Sequence, residues 1–193
     1  MATEHPGVRA GIGELPSTTE VLHAFRASRD RYRPEDVVLD AARRLARCHE
    51  LRLRTQQAAH APDVSDVRVA GCSQLLDDID RDRAEQVARI DGWVAEHIAH
   101  RAGASLHTET LGAVIDRLAA KWVAAQQALG LPTDGVEPPP EPRTDIRPRR
   151  TTIGHHGVDG EARLHWVRLA ELVDGYRDLI TDVIERRRRL PVF

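Results

Sequence analysis

The sequence has little of several features that often indicate a function class. Aromatic residues make up only 4% of its 193 residues, and Cys48 and Cys72 are its only cysteines. Two cysteines are too few for a disulfide framework, and both fall on the apolar side of a predicted helix, so we interpret them as small buried thiols. No apolar run is long enough to span a bilayer or to serve as a secretory signal, which predicts a cytoplasmic protein without membrane contact.

The charge balance and the missing motifs exclude further classes. The formal net charge is -2, so no overall basic field is available to hold nucleic acid. There is no Gly-rich phosphate loop, nucleophile elbow or dinucleotide fingerprint. The Glu-x-x-His pattern of di-iron bundles is also absent, and the pairs His97/His100 and His155/His156 are more typical of solvated side chains than of ligands. We therefore expect neither a metal nor another cofactor.

The patterns that are present predict an all-α fold. Helical spacing of apolar residues recurs along the chain, and alternating β-type segments are nearly absent, so no sheet is predicted. A flexible arm over residues 1–16 precedes a helical core over 17–130. A Pro-rich linker over 131–157 then leads to a C-terminal helix over 158–193. We expect an antiparallel bundle of four long helices plus a short N-terminal helix, with the linker as a long crossover.

Local signals place the helix boundaries. A capping box at Ser17 to Glu20 opens the short helix, and Pro34 fits the first turn of a helix that runs to about Ala59. After Pro62, a third helix continues to about His100. The fourth is expected from about Thr108 to Leu129. Asp159 is predicted to cap the last helix, which ends in a solvated run of arginines at residues 186–189.

Polar residues interrupt the apolar stripes and indicate a site. On the second helix the stripe continues as His49, Arg52 and Gln56. On the third, Arg83 stands in the stripe with Asp80 one turn before it, so its guanidinium should meet a carboxylate or an anion.

On the last helix, His165 and Tyr176 lie among apolar residues and need partners. Together with the interruptions on the other two helices they predict a polar pocket inside the bundle. The alternative is that these side chains reach solvent from the edge of a stripe.

The fourth helix is expected to be contacted on both sides. Glu109 and Asp116 lie opposite its apolar stripe, and the residues among them are small, notably Gly112 and Ala113. Small residues let a neighbouring backbone or a ligand approach closely. The two carboxylates are seven residues apart and project in nearly the same direction, so they could bracket a substrate.

The same segment carries a family resemblance. The string Glu109-Thr110-Leu111-Gly112-x-x-Ile115-Asp116-Arg117, with Asp77-x-x-Asp80-x-x-Arg83 and Ile90-Asp91 before it, resembles an uncharacterised bacterial family, domain of unknown function 4254. The resemblance covers roughly residues 35–130, and Asp80 stands where the family usually has Asn. It implies a common helical scaffold and a common polar site, and it assigns no reaction.

The residue types at the expected site favour proton transfer beside an anion. His107 and Glu109, at the start of a helix, together with Asp116 are the candidate catalytic groups. The candidate substrate-binding residues are Arg83, Arg117, His49, Asp80 and His165. This set suits a cofactor-independent enzyme that acts on a polar, anionic small metabolite by elimination or intramolecular substitution, in a bacterial and, from the arginine-rich composition, actinobacterial biosynthetic pathway.

Two other interpretations stay open. In the first, His107 and Thr108 only cap the helix, Glu109 interacts with its dipole, and Asp116 forms a salt bridge with Arg83 or Arg117 that fixes the register. In the second, the protein is a non-catalytic helical partner of another enzyme. The arginine run at residues 186–189 could then contact a partner subunit or an acidic carrier protein.

Overall fold

Helices account for most of the described chain, as the all-α prediction requires. The computed structural model describes residues 14–27, 36–62, 65–99, 101–130 and 155–191. Its helices are α1 (Thr18–Arg26), α2 (Val37–Ala59), α3 (Asp66–His97), α4 (Leu111–Ala128) and α5 (His155–Ile184), and its two short strands are β1 (Ser105–Leu106) and β2 (Arg188–Arg189). The predicted crossover falls mainly on 131–154, outside the described residues.

The first helix begins where its capping box was predicted. The Ser17 side chain accepts a hydrogen bond from the backbone N–H of Glu20, and the Glu20 carboxylate accepts from the backbone N–H of Ser17 at 2.8 Å. Just before it, Leu15 and Pro16 are buried in the core, so the end of the expected N-terminal arm packs against the helices. The Pro16 carbonyl accepts a 2.8 Å hydrogen bond from the buried Tyr176 hydroxyl, which supplies the partner that this tyrosine needs.

Three sequence-based boundaries are wrong. The fourth helix starts at Leu111 after the N-cap Thr110, whose side chain accepts from the Ala113 N–H. The last helix starts at His155, before the predicted cap Asp159. It also ends at Ile184, before the arginine run, because Arg186 adopts a positive φ of 57° that breaks the helical path.

A short parallel strand pair replaces the predicted solvated helix end. Ser105 pairs with Arg188 and Leu106 with Arg189, and the His107 N–H donates to the Arg189 carbonyl at 2.9 Å. The expectation of no sheet is therefore wrong at this one place. Alternation over two residues is too short to produce a readable strand pattern.

Helix α4 is the centre of the packing, and it contacts α1, α2, α3 and α5. Its apolar stripe is buried as predicted, except for Leu129, which is exposed. Trp122 lies 6.3 Å from the Phe25 ring and 6.2 Å from the Trp166 ring between centroids, which joins α4 to α1 and α5. The prediction of a helix contacted on both sides is confirmed. The packing places the polar face of α4 against α2 and α3.

Within the described residues, no helix is both long enough and apolar enough to cross a lipid bilayer.

Candidate functional site

Side chains from α2, α3 and α4 form a continuous polar chain centred on Asp116. Nε2 of His49 donates to the Asp116 carboxylate at 2.8 Å, and Nε of Arg83 donates to the same carboxylate at 3.2 Å. Asp80 accepts from Nη1 of Arg83 at 2.8 Å and from Nη1 of Arg52. We call these five residues the Asp116 cluster. The expectation that the Arg83 guanidinium meets a carboxylate is confirmed.

Exposure rises along this chain from Asp116 to Asp80. The side chains of His49 and Asp116 are 12% and 16% exposed, whereas Asp80 is 43% exposed. The hydrogen bond from Arg52 is the largest cause and lowers the pKa of Asp80; burial opposes it, and the charges of Arg52 and Arg83 lower the pKa further. Asp80 is therefore the ionised, solvent-facing end of the cluster.

The cluster borders an open cleft of about 740 Å³. Arg52, Asp80, Arg83 and Asp116 line it, together with small side chains that include Ala113. A cleft of this size is in the range of small-molecule sites. The structure thus shows a cleft open to water where the sequence predicted an enclosed pocket, because Arg52 and Asp80 are at least one third exposed.

The small residues of α4 allow α3 to approach closely. A Cβ atom on Gly112 would lie 2.5 Å from the Val87 carbonyl oxygen, closer than real Cβ atoms come. The Gly112 N–H donates to Oδ1 of Asp91 at 2.8 Å. This contact confirms that glycine is needed here for the approach of a neighbouring backbone, and it fixes the distance between the helices that carry Arg83 and Asp116.

Asp91 caps the start of α4 from the neighbouring helix. Burial raises the pKa of Asp91, and the hydrogen bonds from the Gly112 N–H and the Thr110 side chain only partly oppose this effect. Asp91 also lines the cleft, although the sequence analysis did not select it as a site residue. The signal that could have found it is its position two turns after Arg83 on the same face of α3.

Glu109, Arg117 and His107 lie apart from the Asp116 cluster. Glu109 precedes the N-cap, so its predicted place in the first helical turn is wrong. Its carboxylate forms a two-pronged ion pair with Arg117 at 2.9 and 2.5 Å, and both side chains are more than one third exposed. Neither residue lines the cleft that Asp116 lines. The prediction that Glu109 and Asp116 bracket one substrate is therefore wrong.

His107 belongs to the strand pair. Its Nδ1 lies 3.4 Å from Nη1 of Arg188. Burial, followed by the positive charge of Arg188, lowers the pKa of His107. The interpretation that His107 and Thr108 cap α4 is wrong, because Thr110 is the N-cap.

His165 is also placed elsewhere. It is half-buried on α5, and in the described part of the chain α5 contacts neither α2 nor α3.

Conversely, Arg52 was noted on the polar stripe of α2 but not selected as a site residue, although its i, i+3 spacing from His49 already placed it on the same helical face. Four predicted site residues therefore meet: His49, Asp80, Arg83 and Asp116.

Among the described residues, no group of three or more His, Cys, Asp or Glu side chains is placed to hold a metal ion.

The Cys48 thiol is half-buried near the cluster. Burial, and then the charges of Asp82 and Asp116, raise its pKa, which leaves it a poor nucleophile at neutral pH.

The comparison with family models decides the assignment. A model described as a protein of unknown function (DUF4254) matches residues 39–135. The chain belongs to the DUF4254 family. The match covers nearly all of α2 and the whole of α3 and α4, so it contains every residue of the Asp116 cluster. The comparisons with curated proteins and with solved structures each found no match.

Proposed function

We propose that this DUF4254 protein is a small, cofactor-independent enzyme or enzyme subunit that acts on a polar, anionic metabolite in the cleft beside the Asp116 cluster. The observation that carries the proposal is the alternation of two guanidinium groups and two carboxylates along one cleft wall. The scaffold in this proposal is an antiparallel four-helix bundle with a Pro-rich crossover, acting in the cytoplasm of an actinobacterium.

Arg52 and Arg83 are the anion-binding groups of the proposal. A guanidinium has five N–H donors, and the ion pairs to Asp80 and Asp116 use two of those on Arg83. A phosphate, sulfate or carboxylate of the metabolite replaces water at the remaining donors, or displaces the half-exposed Asp80.

Asp116 is the proton acceptor of the proposal, and His49 is a positioning residue. Asp116 lines the cleft, whereas His49 holds its carboxylate from α2. In an elimination, Asp116 takes a proton from the metabolite. The electron pair of the broken bond forms the new double bond, or attacks in an internal substitution, and the leaving group departs with its bonding pair to Arg52 and Arg83. This lyase or cyclase chemistry fits a biosynthetic step.

His107, Glu109, Arg117 and His165 have no part in this mechanism. The ion pair between Glu109 and Arg117 and the contact of His107 with Arg188 account for three of them as structural groups.

The proposal is tested in two steps. A panel of phosphate esters, sulfate esters and carboxylates is screened by thermal shift, and compounds that raise the unfolding midpoint are followed for conversion by NMR. Asp116→Asn should bind such a compound but convert it at least 100-fold more slowly. Arg81→Gln is the control, because Arg81 lies on α3 close in sequence to Asp80 and Arg83 but is 74% exposed and paired locally with Asp78. Conversion by Asp116→Asn at the wild-type rate would refute the catalytic role.

A second function is favoured by one observation. The first half of α3 carries three large apolar side chains that are exposed, those of Val67, Val69 and Leu75. Such a surface suits a non-catalytic helical partner of another enzyme. In that case Val69→Glu combined with Leu75→Glu abolishes co-elution with a protein encoded by an adjacent gene, and the unfolding midpoint stays unchanged. Co-elution of the double variant as well as wild type would refute it.

A further inference from the structure

A second cleft, of about 800 Å³, lies between α2 and α3 and shares no residue with the first. Its two walls differ in chemistry. From α2 come the guanidinium groups of Arg43, Arg44, Arg47 and Arg54. From α3 come hydrogen-bond acceptors, namely the side chains of Asp82, Glu85 and Gln86. We call this the Gln86 cleft.

Gln86 is the unusual residue of this cleft. It is only 8% exposed, and its amide oxygen is buried without a hydrogen-bond partner among the described residues. Buried polar atoms in proteins are nearly always hydrogen-bonded, because an unmade bond leaves the cost of desolvation without compensation. An unpartnered acceptor that borders a cleft therefore indicates a missing donor.

Arg43 provides the complementary feature on the opposite wall. Its side chain is 11% exposed and Nη2 donates to Asp40 at 2.7 Å, but Nε is buried with no partner in the part of the chain that the structure describes. The same cleft thus contains an unpartnered donor on α2 and an unpartnered acceptor on α3. One molecule with an acceptor at one end and a donor at the other satisfies both.

The surrounding charges define that molecule further. Arg44 is half-exposed, and its Nε donates to Asp40, a bond that does not use its Nη groups. Four guanidinium groups on one wall favour a phosphate or carboxylate. The carboxylates of Asp82 and Glu85 on the other wall repel a second anionic group and accept hydrogen bonds from hydroxyls. The Glu50 carboxylate, also in the lining, is paired with Arg47 at 3.1 Å.

From this arrangement we propose that the Gln86 cleft is a binding site for a polyhydroxylated anion of the sugar phosphate or sugar acid class. The anionic group binds the arginines of α2, and hydroxyl groups donate to Gln86 and the carboxylates of α3. The proposal is independent of the function assigned to the Asp116 cluster, because the two clefts lie on different faces of α3.

Four probes that share parts of one structure test the proposal by isothermal titration calorimetry: glucose 6-phosphate, gluconate, glucose and inorganic phosphate. At least one of the two hydroxylated anions should bind, and which of them binds identifies the anionic group. Glucose and inorganic phosphate, which each lack one half of the recognised chemistry, should bind at least tenfold more weakly. Absence of binding by both hydroxylated anions, or equally tight binding of inorganic phosphate, would overturn the proposal.

Variants locate the binding. Gln86→Leu removes the unpartnered amide at similar volume, so its ligand-free unfolding midpoint should equal or exceed that of wild type while the affinity falls at least tenfold. Arg44→Gln, at a half-exposed position, should weaken binding in the same way and serves if Gln86→Leu does not fold. Arg81→Gln, at an exposed position of α3 that is paired with Asp78, is the matched control and should bind the probe normally. Wild-type affinity in both cleft variants would overturn the assignment.

Discussion

His49 and Asp116 are 67 residues apart in the sequence and are joined by a 2.8 Å hydrogen bond between Nε2 and Oδ1. This bond connects α2 to α4. Because Arg83 of α3 reaches the same carboxylate at 3.0 Å, one acidic side chain links all three helices of the family region. A group that links three helices has a structural role as well as a chemical one, and the two roles can be measured separately.

The structural role appears as coupling between Asp116 and Arg83. Asp116→Asn and Arg83→Gln should each lower the free energy of unfolding by about 1–3 kcal/mol, the usual range for hydrogen bonds to charged groups. The double variant should lose less than the sum, with a coupling energy of at least about 0.5 kcal/mol. Urea denaturation of the four proteins measures it. Strict additivity would mean that the ion pair contributes nothing to stability.

The close approach of α3 and α4 depends on Gly112. Gly112→Ala places a methyl group 2.5 Å from the Val87 carbonyl oxygen, so we expect a loss of about 1–3 kcal/mol, typical of overpacking. Gly92→Ala is the matched control on α3, where an added Cβ meets nothing within 4 Å. That variant should gain up to about 1 kcal/mol from the higher helix propensity of alanine. Equal effects in urea denaturation would contradict the contact.

The ion pairs of Asp40 should make part of the free energy of unfolding depend on pH in the acid range. Burial by itself raises the pKa of Asp40, but hydrogen bonds from Arg43, Arg89 and Arg44 outweigh it and lower the pKa from 3.8 to about 2. A lowered folded-state pKa contributes stability that is complete above about pH 4 and is lost as pH falls towards 2. Asp40→Asn should cost about 1–2 kcal/mol at pH 7. The difference from wild type should shrink between pH 4 and 2, and a constant difference would contradict the ion pairs.

Tyr176 makes the opposite contribution at alkaline pH. Burial, and then the negative charge of Glu20, raise its pKa far above the ordinary value. Its contribution is therefore complete below about pH 10 and is lost as the pH rises beyond that. Tyr176→Phe should cost about 1–2 kcal/mol at pH 7, because the Pro16 carbonyl loses its donor. Ultraviolet titration at 295 nm should show one fewer late-titrating tyrosine, and an unchanged titration would contradict the burial of this hydroxyl.

The sequence was sufficient wherever local chemistry decides the structure. The capping box at Ser17 and the apolar stripe of α4 follow from residues within a few positions of each other. A close approach at Gly112 was also indicated by the sequence, because Gly112 and Ala113 stand together on the face of α4 that carries Asp116. These features predicted the helices and the contact of a neighbouring element with the polar face of α4.

The sequence was insufficient where partners come from distant parts of the chain. Glu109 and Asp116 project in similar directions on a helical wheel. In the structure, however, Glu109 precedes α4 and pairs with Arg117, whereas Asp116 pairs with His49 and Arg83. The pairing of β1 with β2 joins residues more than eighty positions apart, so no local pattern could indicate it. Arg83 and Asp80 could be expected to pair, but the helix that completes the cleft could not be identified from spacing.

The role proposed for Arg83 is to bind the anionic group of a metabolite in the cleft beside Asp116. The most direct measurement is the dissociation constant, by isothermal titration calorimetry, of the most stabilising compound of the anion screen for wild type, Arg83→Gln and Arg81→Gln. Binding to Arg83→Gln should be at least tenfold weaker, about 1.4 kcal/mol, and binding to Arg81→Gln should be unchanged. Equal affinity of all three proteins would contradict it.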